Sequence, residues 1–353
     1  MSGDGLRDRV ERAVEGLTPG YFALVMASGI ISVGMQLEGF VVLSEILLAV
    51  CATAFVVLLA LTGWRFVAFR SAVNEDFMDP RRAFGFFTFV AGTNVLGVRL
   101  GMEGWYAATA ALLLLSGLAW LVLGYVVPWT AVLGRQERPV VVTANGTWFI
   151  WVVASQSVAV AAATIEPVFD PARRELALLA VMSWSVGVFL YGAAGILVSL
   201  RLMLYSFGPE ELTPPYWVSM GALAITVLAG ARIVEMADAP MVDVTRDLIA
   251  GLAVVFWAFA TWLIPVLVAA GWWRHVARKV PLSYEATLWS IIFPLGMYAV
   301  AGIYLGQADR LPVVSAVGRL ELWVAFAAWT LVLVAMLVHV ARTVLLRPRI
   351  PSL

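Results

Sequence analysis

The chain has 353 residues, of which 62% are hydrophobic and 13% are charged. Soluble domains carry about 25% charged residues, so this composition excludes an ordinary soluble protein and requires a surface that faces lipid. The 23 basic and 23 acidic residues give a formal net charge of zero, which argues neither for nor against a nucleic-acid partner. No such partner is predicted.

Ten hydrophobic segments follow one another from Tyr21 to the C-terminus. Each is about 20 residues long, the length at which a helix crosses the hydrocarbon core of a bilayer. The predicted spans cover residues 20–38, 43–63, 83–99, 105–128, 141–163, 174–200, 214–234, 247–273, 285–306 and 314–341. They predict an all-α integral membrane protein with ten transmembrane helices and no separate soluble domain.

Two short segments flank the predicted transmembrane domain, which covers residues 18–343. Residues 1–17 are predicted to form a cytoplasmic amphipathic segment, and residues 344–353 a short cytoplasmic tail. In the first segment, apolar residues recur at helical spacing, at Leu6, Val10, Val14 and Leu17. This spacing is typical of a helix that lies on the membrane surface, and a docking site for a partner is the alternative.

Basic residues collect on one side of the membrane if the spans alternate in direction. That side holds 16 of the 23 basic residues: Arg7, Arg9, Arg12, Arg65, Arg70, Arg81, Arg82, Arg135, Arg138, Arg201, Arg274, Arg278, Lys279, Arg342, Arg347 and Arg349. Because basic residues favour cytoplasmic loops, both termini are predicted to lie in the cytoplasm and the protein in the plasma (cell inner) membrane.

The odd-numbered spans share a pattern that the even spans lack: aromatic residues come first, and small residues follow about 5–7 positions later. The aromatic residues are Tyr21 and Phe22, Phe86 and Phe87, Trp148 and Phe149, Tyr216 and Trp217, and Trp289 with Phe293. Small residues let transmembrane helices approach closely, so ordinary packing explains any single span. The recurrence in five alternate spans predicts five helical hairpins, with the odd helices forming an inner pore and the even helices an outer layer.

Two arginines, Arg99 and Arg232, fall at the outer ends of odd spans. An ionisable group inside a span needs a partner or an aqueous cavity. Both are therefore candidates for an outer vestibule that concentrates anions. For Arg232, a structural ion pair with Glu235, one turn away, is the alternative.

Uncharged polar residues in spans three and five could line a path or join neighbouring helices by hydrogen bonds. They are Thr93, Asn94, Asn145, Thr147, Ser155 and Gln156, of which Asn94 and Asn145 are candidates for the lining of the pore. No Asp or Glu lies deep in an odd span. A cation path normally needs carboxylates or rings of carbonyl groups, so the pattern favours anions.

Catalytic and metal-binding residues are not expected. The two histidines, His275 and His339, have no metal-ligand companion at a useful spacing, and Cys51 is the single cysteine. One cysteine excludes an intrachain disulfide and a cysteine-based metal site. The sequence therefore predicts neither an enzyme nor a bound cofactor or metal.

Two segments resemble the tellurite-resistance/C4-dicarboxylate transporter family. They are Thr-Pro-Gly-Tyr-Phe-Ala-Leu-Val-Met-Ala-Ser-Gly at 18–29 and Leu-Trp-Ser-Ile-Ile-Phe-Pro-Leu-Gly at 288–296. The family includes a bacterial tellurite-resistance channel homologue, the malic acid transporters of yeast and the slow anion channels of plant guard cells. The resemblance implies a homotrimer of independent pores for small inorganic anions or dicarboxylates such as malate, while tellurite enters only through the family's name.

The resemblance also implies a gate, because a phenylalanine on the ninth span blocks the pore in characterised members. Phe293 is the best match, although Ile291 stands where some relatives have an aromatic ring. The other candidates for the lining of the same path are Phe22, Phe87, Phe149, Trp217 and Gly296. A proton-coupled dicarboxylate carrier and a membrane scaffold or sensor without transport activity are the alternative functions.

Overall fold

The computed structural model describes residues 5–134, 138–237, 239–308 and 311–345, and these residues form helices and turns but no strand. The α-helices are α1 (Leu6–Glu15), α2 (Ala23–Leu37), α3 (Val41–Ala68), α4 (Arg70–Met78), α5 (Phe87–Met102), α6 (Tyr106–Val127), α7 (Phe149–Ile165), α8 (Arg173–Leu204), α9 (Val218–Val234), α10 (Pro240–Trp272), α11 (Trp289–Ala308) and α12 (Pro312–Val340). Residues 346–353 of the predicted tail at 344–353 lie outside the described residues, as do residues 1–4 and Arg135, Arg347 and Arg349 of the predicted basic side.

Ten helical segments in the described part of the chain are long and apolar enough to cross a membrane. They are Pro19–Leu37, Val41–Ala68, Ala83–Met102, Tyr106–Leu133, Gly146–Val168, Asp170–Leu204, Pro214–Val234, Pro240–Ala277, Ala286–Gln307 and Pro312–Leu345. This confirms the ten predicted spans and the all-α class. The fifth span starts later than residue 141, because Val140–Thr143 forms a separate turn, and the eighth starts earlier than 247, because Pro240 occupies the first helical turn.

A short 3-10 turn precedes each of the five odd spans' α-helices. These turns are Pro19–Phe22, Ala83–Phe86, Gly146–Trp148, Pro214–Trp217 and Ala286–Leu288. Most of the aromatic residues of the predicted repeat lie in these turns or in the first residue after them. The repeat therefore marks the starts of the odd helices.

Odd and even spans differ sharply in burial. Between 78% and 89% of the residues in the most apolar stretch of each odd span are buried, against 11% to 33% in the even spans. The apolar side chains of the even helices therefore face outwards, where lipid is the solvent that suits them.

The helices of the five odd-numbered spans contact one another in a closed ring, in the order α2, α5, α7, α9, α11 and back to α2. Each also packs along the helix of the even-numbered span that follows it in the chain, which is α3, α6, α8, α10 or α12. Small residues permit the close approaches: a Cβ atom on Gly221 of α9 would lie 2.8 Å from Pro294 of α11. The ring thus leaves its axis enclosed by five helices and shielded from lipid by five more.

Helix α1 lies across the ends of α3 and α12. Val14 is buried against this surface, and the Arg9 Nε atom donates a hydrogen bond to the Val344 carbonyl at 2.8 Å. The Arg65 Nε atom donates to the Glu15 carbonyl at 2.9 Å, so both ends of α1 are fixed to the helix bundle. Helix α1 therefore buries the face that carries Arg9 and Val14 and leaves the opposite face exposed.

Candidate functional site

A small cavity lies on the axis of the helix ring, with a volume of about 40 Å³. All five ring helices line it, through residues such as Ile30, Val98, Val160, Leu228 and Met297. A void needs about 10–15 Å³ to hold one water molecule, so this cavity has room for solvent. Its wall comes from the middle of the ring helices and from the parts of them that are distant from α1.

Asn94 lines this cavity and also joins three helices. Its Nδ2 atom donates to the Ser157 Oγ atom of α7 at 2.9 Å, and its Oδ1 atom accepts from the Ser116 Oγ atom of α6 at 2.6 Å. Asn94 is 1% exposed and Ser157 also lines the cavity. Because an amide nitrogen carries two donors, Asn94 can bridge these helices and still present an N–H group to the cavity.

Arg232 of α9 brings positive charge to the outer end of the cavity. It is the one charged side chain among the described residues that line the cavity, and no described lining residue is acidic. Its guanidinium carbon lies 5.5 Å from the centre of the Tyr304 ring, in cation–π geometry. Its Nη1 atom lies 3.4 Å from the Glu235 carboxylate, and the side chain is 25% exposed. Arg232 therefore lines the cavity and also makes the ion pair with Glu235 that the sequence offered as an alternative.

Arg99 lies elsewhere, between α2, α3 and α5, and does not line the cavity. It is 0% exposed. Its Nε atom donates to Ser32 and its Nη2 atom to Ser44, both at 2.9 Å, while its Nη1 atom pairs with Glu103 at 2.6 Å. Arg99 therefore does not lie at an open vestibule, where the sequence placed it, because hydroxyl groups of two neighbouring helices enclose its guanidinium group.

Phe293 lies on α11 and is 1% exposed. It precedes Met297 by four residues, so the two side chains share a face of the helix and are separated by one turn. Phe293 is therefore one turn from the cavity on the side towards the start of α11. Ile291, the alternative position, is only half-buried. Gly296 allows α11 to approach α2, since a Cβ atom there would lie 2.9 Å from Ile30.

The remaining predicted rings pack in different directions. Phe22 makes an edge-to-face contact with Phe55 of α3, with centroids 6.1 Å apart, and Phe149 lies 5.3 Å from Tyr191 of α8. Both rings thus contact outer helices. Phe87 stacks on a ring of α7, at 5.7 Å from Trp151. The structure does not bring these rings together with Phe293.

Two further candidates, Trp217 and Asn145, lie at 3-10 turns. Trp217 is half-buried at the end of its turn. Asn145 precedes the turn Gly146–Trp148, and its Oδ1 atom accepts hydrogen bonds from the Thr147 backbone N–H at 2.8 Å and from the Thr147 hydroxyl at 2.6 Å. An asparagine in this position is a helix cap, so its side chain is engaged in starting the fifth span.

A tyrosine pair joins the starts of two ring helices. The hydroxyl groups of Tyr21 and Tyr284 are 2.8 Å apart, and the Trp289 Nε1 atom donates to the Tyr284 hydroxyl at 3.3 Å. Burial, with a smaller effect from the Tyr21 hydrogen bond, raises the pKa of Tyr284. Tyr284 therefore stays neutral and remains a hydrogen-bonding link between α2 and α11.

The sequence did not single out several residues of the cavity. Ser157, Thr164 and Tyr304 supply polar atoms to its wall, and none was predicted. Ser157 follows two polar residues that were considered, but a run of polar residues in a helix does not tell which one faces inwards. Tyr304 carries no distinguishing pattern in the sequence.

A closed ring of buried helices around a small cavity, surrounded by helices with exposed apolar faces, is the architecture of a polytopic membrane protein. Residues 16–337 match the family described as voltage-dependent anion channel, SLAC1, and the chain belongs to this family. This confirms the resemblance found in the sequence and makes the protein a member of an anion-transport family.

Relatives of this chain are also membrane proteins. An uncharacterized membrane protein of Mycobacterium tuberculosis is 63% identical over 157 residues, which cover 44% of this chain and 80% of the relative. An uncharacterized transporter of Methanocaldococcus jannaschii is 24% identical over 334 residues, covering 91% of this chain and 92% of the relative. A second uncharacterized transporter of that organism is 24% identical over 193 residues, or 54% of each chain.

Proposed function

We propose that this protein is a channel or permease that moves small anions through the axis of the ring formed by α2, α5, α7, α9 and α11. The observation that carries the proposal is the cavity inside the ring. Among its described lining residues, Arg232 is the one charged group, and its charge is positive. Inorganic anions and C4-dicarboxylates such as malate are the proposed substrates. An anion at the outer end would meet a fixed positive charge, which raises its local concentration.

Selectivity in this proposal is weak. The described wall offers an amide group from Asn94 and hydroxyl groups from Ser157 and Thr164, and the rest is largely apolar. Such a wall replaces only part of an anion's hydration shell, so dehydration cost and width set the order of preference. Anions that lose water easily, such as nitrate, should pass more readily than chloride.

Phe293 is the proposed gate. Its buried ring lies one turn from the cavity on the face of α11 that carries Met297, and a ring in a narrow apolar passage blocks it by excluding water. A change of rotamer would reopen the passage. Gly296 supports this arrangement by holding α11 close to α2.

The proposed setting is the plasma membrane, with both termini and α1 on the cytoplasmic side and residues 18–343 as the transport domain. The described basic residues at the α1 side support this orientation, since such residues favour cytoplasmic loops. We also propose a homotrimer, in which each chain keeps its own ring. The outward apolar faces of the even helices provide surface for such an assembly.

Replacing the gate residue tests the proposal most directly. Phe293→Ala should raise the anion current of the protein in planar bilayers by about tenfold or more, the effect of lowering a barrier by about 1.4 kcal/mol. Phe189→Ala is the matched control, because Phe189 is 81% exposed on α8. Ile291→Ala, measured in parallel, shows whether the gate lies two positions earlier.

Correct assembly must be checked, since replacing a buried phenylalanine by alanine costs about 3–5 kcal/mol of stability. Size-exclusion chromatography and thermal unfolding of the purified variants provide that check. An unchanged current in a correctly assembled Phe293→Ala protein would remove Phe293 from the role of gate.

Recordings at several pH values separate a channel from a proton-coupled carrier. For a channel, the current reverses at the equilibrium potential of the anion at every pH. A reversal potential that moves with the proton gradient would instead establish coupling. The absence of acidic side chains from the described cavity wall favours the channel.

A further inference from the structure

A second and much larger space lies outside the helix ring. It is a groove of about 1,320 Å³ between α3 and α12, with α1 lying over one end. Sites for ordinary small molecules measure about 300–1,000 Å³, so the groove suits a longer ligand. Its walls come mainly from outer helices, which separates it from the axial cavity.

The groove is long and apolar within the transmembrane spans. Along α3 it extends from Ile46 to Leu61, sixteen residues that span about 22 Å at the helical rise. Leu333 and Leu337 of α12 form the facing wall. One leaflet of a bilayer contributes about 15 Å of hydrocarbon, so the groove can hold an acyl chain along its length.

The end of the groove under α1 is polar and basic. Arg9 and Arg12 of α1 and His339 of α12 line it, against a single carboxylate, Glu285, among the described lining residues. The hydroxyl groups of Thr18, Tyr284 and Thr343 line the same end. A guanidinium group carries five donors in a planar fork that matches a phosphate, and the Arg9 Nε atom uses one of them on the Val344 carbonyl. The positive charge of this end is therefore complementary to a phosphate group.

We propose that an anionic phospholipid occupies this groove. Its phosphate lies against Arg9, Arg12 and His339, and one acyl chain lies between α3 and α12. The ligand is identified by its amphiphilic chemistry, since the groove joins a long apolar trough to a basic end near the level of the surface helix α1. The binding site is independent of anion passage through the ring.

A second copy of this chain fits the groove less well. One helix that could enter it, α10, is followed on the same side of the membrane by the exposed basic residues Arg278 and Lys279. A neighbouring copy would therefore place like charges near Arg9 and Arg12, which is unfavourable at close range. A phospholipid brings the opposite charge.

Binding of fluorescent phosphatidylglycerol to the purified full chain in detergent tests the proposal, with fluorescent phosphatidylcholine as the neutral comparison. Phosphatidylglycerol should bind saturably and more tightly than phosphatidylcholine. Arg12→Gln should weaken its binding roughly fivefold, the effect of one basic residue near a membrane surface. Arg7→Gln is the matched control, because it removes one basic residue of α1 that is 89% exposed, pairs with Glu11 and lies outside the groove. It should leave phosphatidylglycerol binding unchanged.

A second pair of variants tests the acyl end. Ala49→Trp places an indole in the groove and should weaken binding of phosphatidylglycerol and phosphatidylcholine alike, because the indole fills the space that the acyl chain of the lipid would occupy. Ala327→Trp changes an exposed residue of α12 outside the groove and should leave binding unchanged.

Three results would overturn the proposal. One is equal affinity of the unmodified protein for the two lipids, and another is equal loss in Ala49→Trp and Ala327→Trp. The third is a change of oligomeric mass in Ala49→Trp with lipid binding retained, which would assign the groove to contact between copies. These measurements do not involve ion flux, so their failure leaves the proposed channel function untouched.

Discussion

The outer ends of α5 and α9 look alike in sequence and differ in structure. Each helix has an arginine in its last turn and a glutamate just after its end, three or four residues later: Arg99 with Glu103, and Arg232 with Glu235. Arg99 is fully enclosed and pairs at 2.6 Å, whereas the side chain of Arg232 is 25% exposed and pairs at 3.4 Å. The same local motif thus gives a buried tie between helices in one region and a charged cavity wall in the other.

Neighbouring helices account for the difference. The turn between α2 and α3 brings Ser32 and Ser44 together, and both hydroxyl groups accept hydrogen bonds from Arg99. Arg232 instead meets the face of Tyr304 and the open cavity. The position of an arginine in a span therefore does not tell whether it lines a cavity or ties helices together, because the neighbouring helices decide this.

The largest expected effect is on the stability of the α5 region. Arg99→Leu should lower the free energy of unfolding by about 3 kcal/mol, because hydrogen bonds to a charged, buried group are lost. Thermal unfolding of the purified variant measures the loss, and the anion selectivity of the protein that survives should not change. Arg232→Leu serves as the comparison and should cost much less, since partly exposed ion pairs contribute about 0–1 kcal/mol. Equal losses in the two variants would contradict the assigned difference.

A smaller effect is expected on conduction at the α9 region. Arg232→Gln should reduce chloride and nitrate currents about fivefold at low ionic strength, because the fixed charge no longer concentrates anions at the cavity. At 1 M salt, where the screening length is about 3 Å, the reduction should largely disappear. Arg319→Gln is the control, because Arg319 pairs with Glu38 outside the cavity. The same reduction in both variants would show that general surface charge, and not the cavity, is responsible.

The spans and the family could be predicted from the sequence, but the directions in which most side chains point could not. Length and hydrophobicity act locally, so the ten spans were predictable, and the aromatic repeat correctly separated the five buried helices from the others. The direction of a side chain around a helix depends on its neighbours. Phe22 and Phe149 therefore pack on outer helices, although their positions in the repeat resemble those of other rings.

The polar residues of α7 illustrate the same limit. Ser155 accepts a hydrogen bond from Trp120 of α6, Gln156 donates to the Trp184 carbonyl of α8, and Ser157 alone of the three faces the cavity. Successive helical residues are rotated by about 100°, so neighbours in sequence point to different helices. The capping role of Asn145 was easier to predict from the sequence, because asparagine is common as the cap before the first turn of a helix.

The smallest effect is expected at the glutamates of the two motifs. Glu235→Gln removes the negative charge that faces Arg232 and should raise the anion current roughly twofold, within the range of a partly exposed ion pair. Glu103→Gln is the matched change at α5 and should leave the current unchanged, because Arg99 lies outside the cavity. Single-channel recordings at low salt can resolve a twofold difference. If both glutamine variants raise the current equally, the charge at Arg232 has no special access to the permeating anion, and the two regions are electrically equivalent.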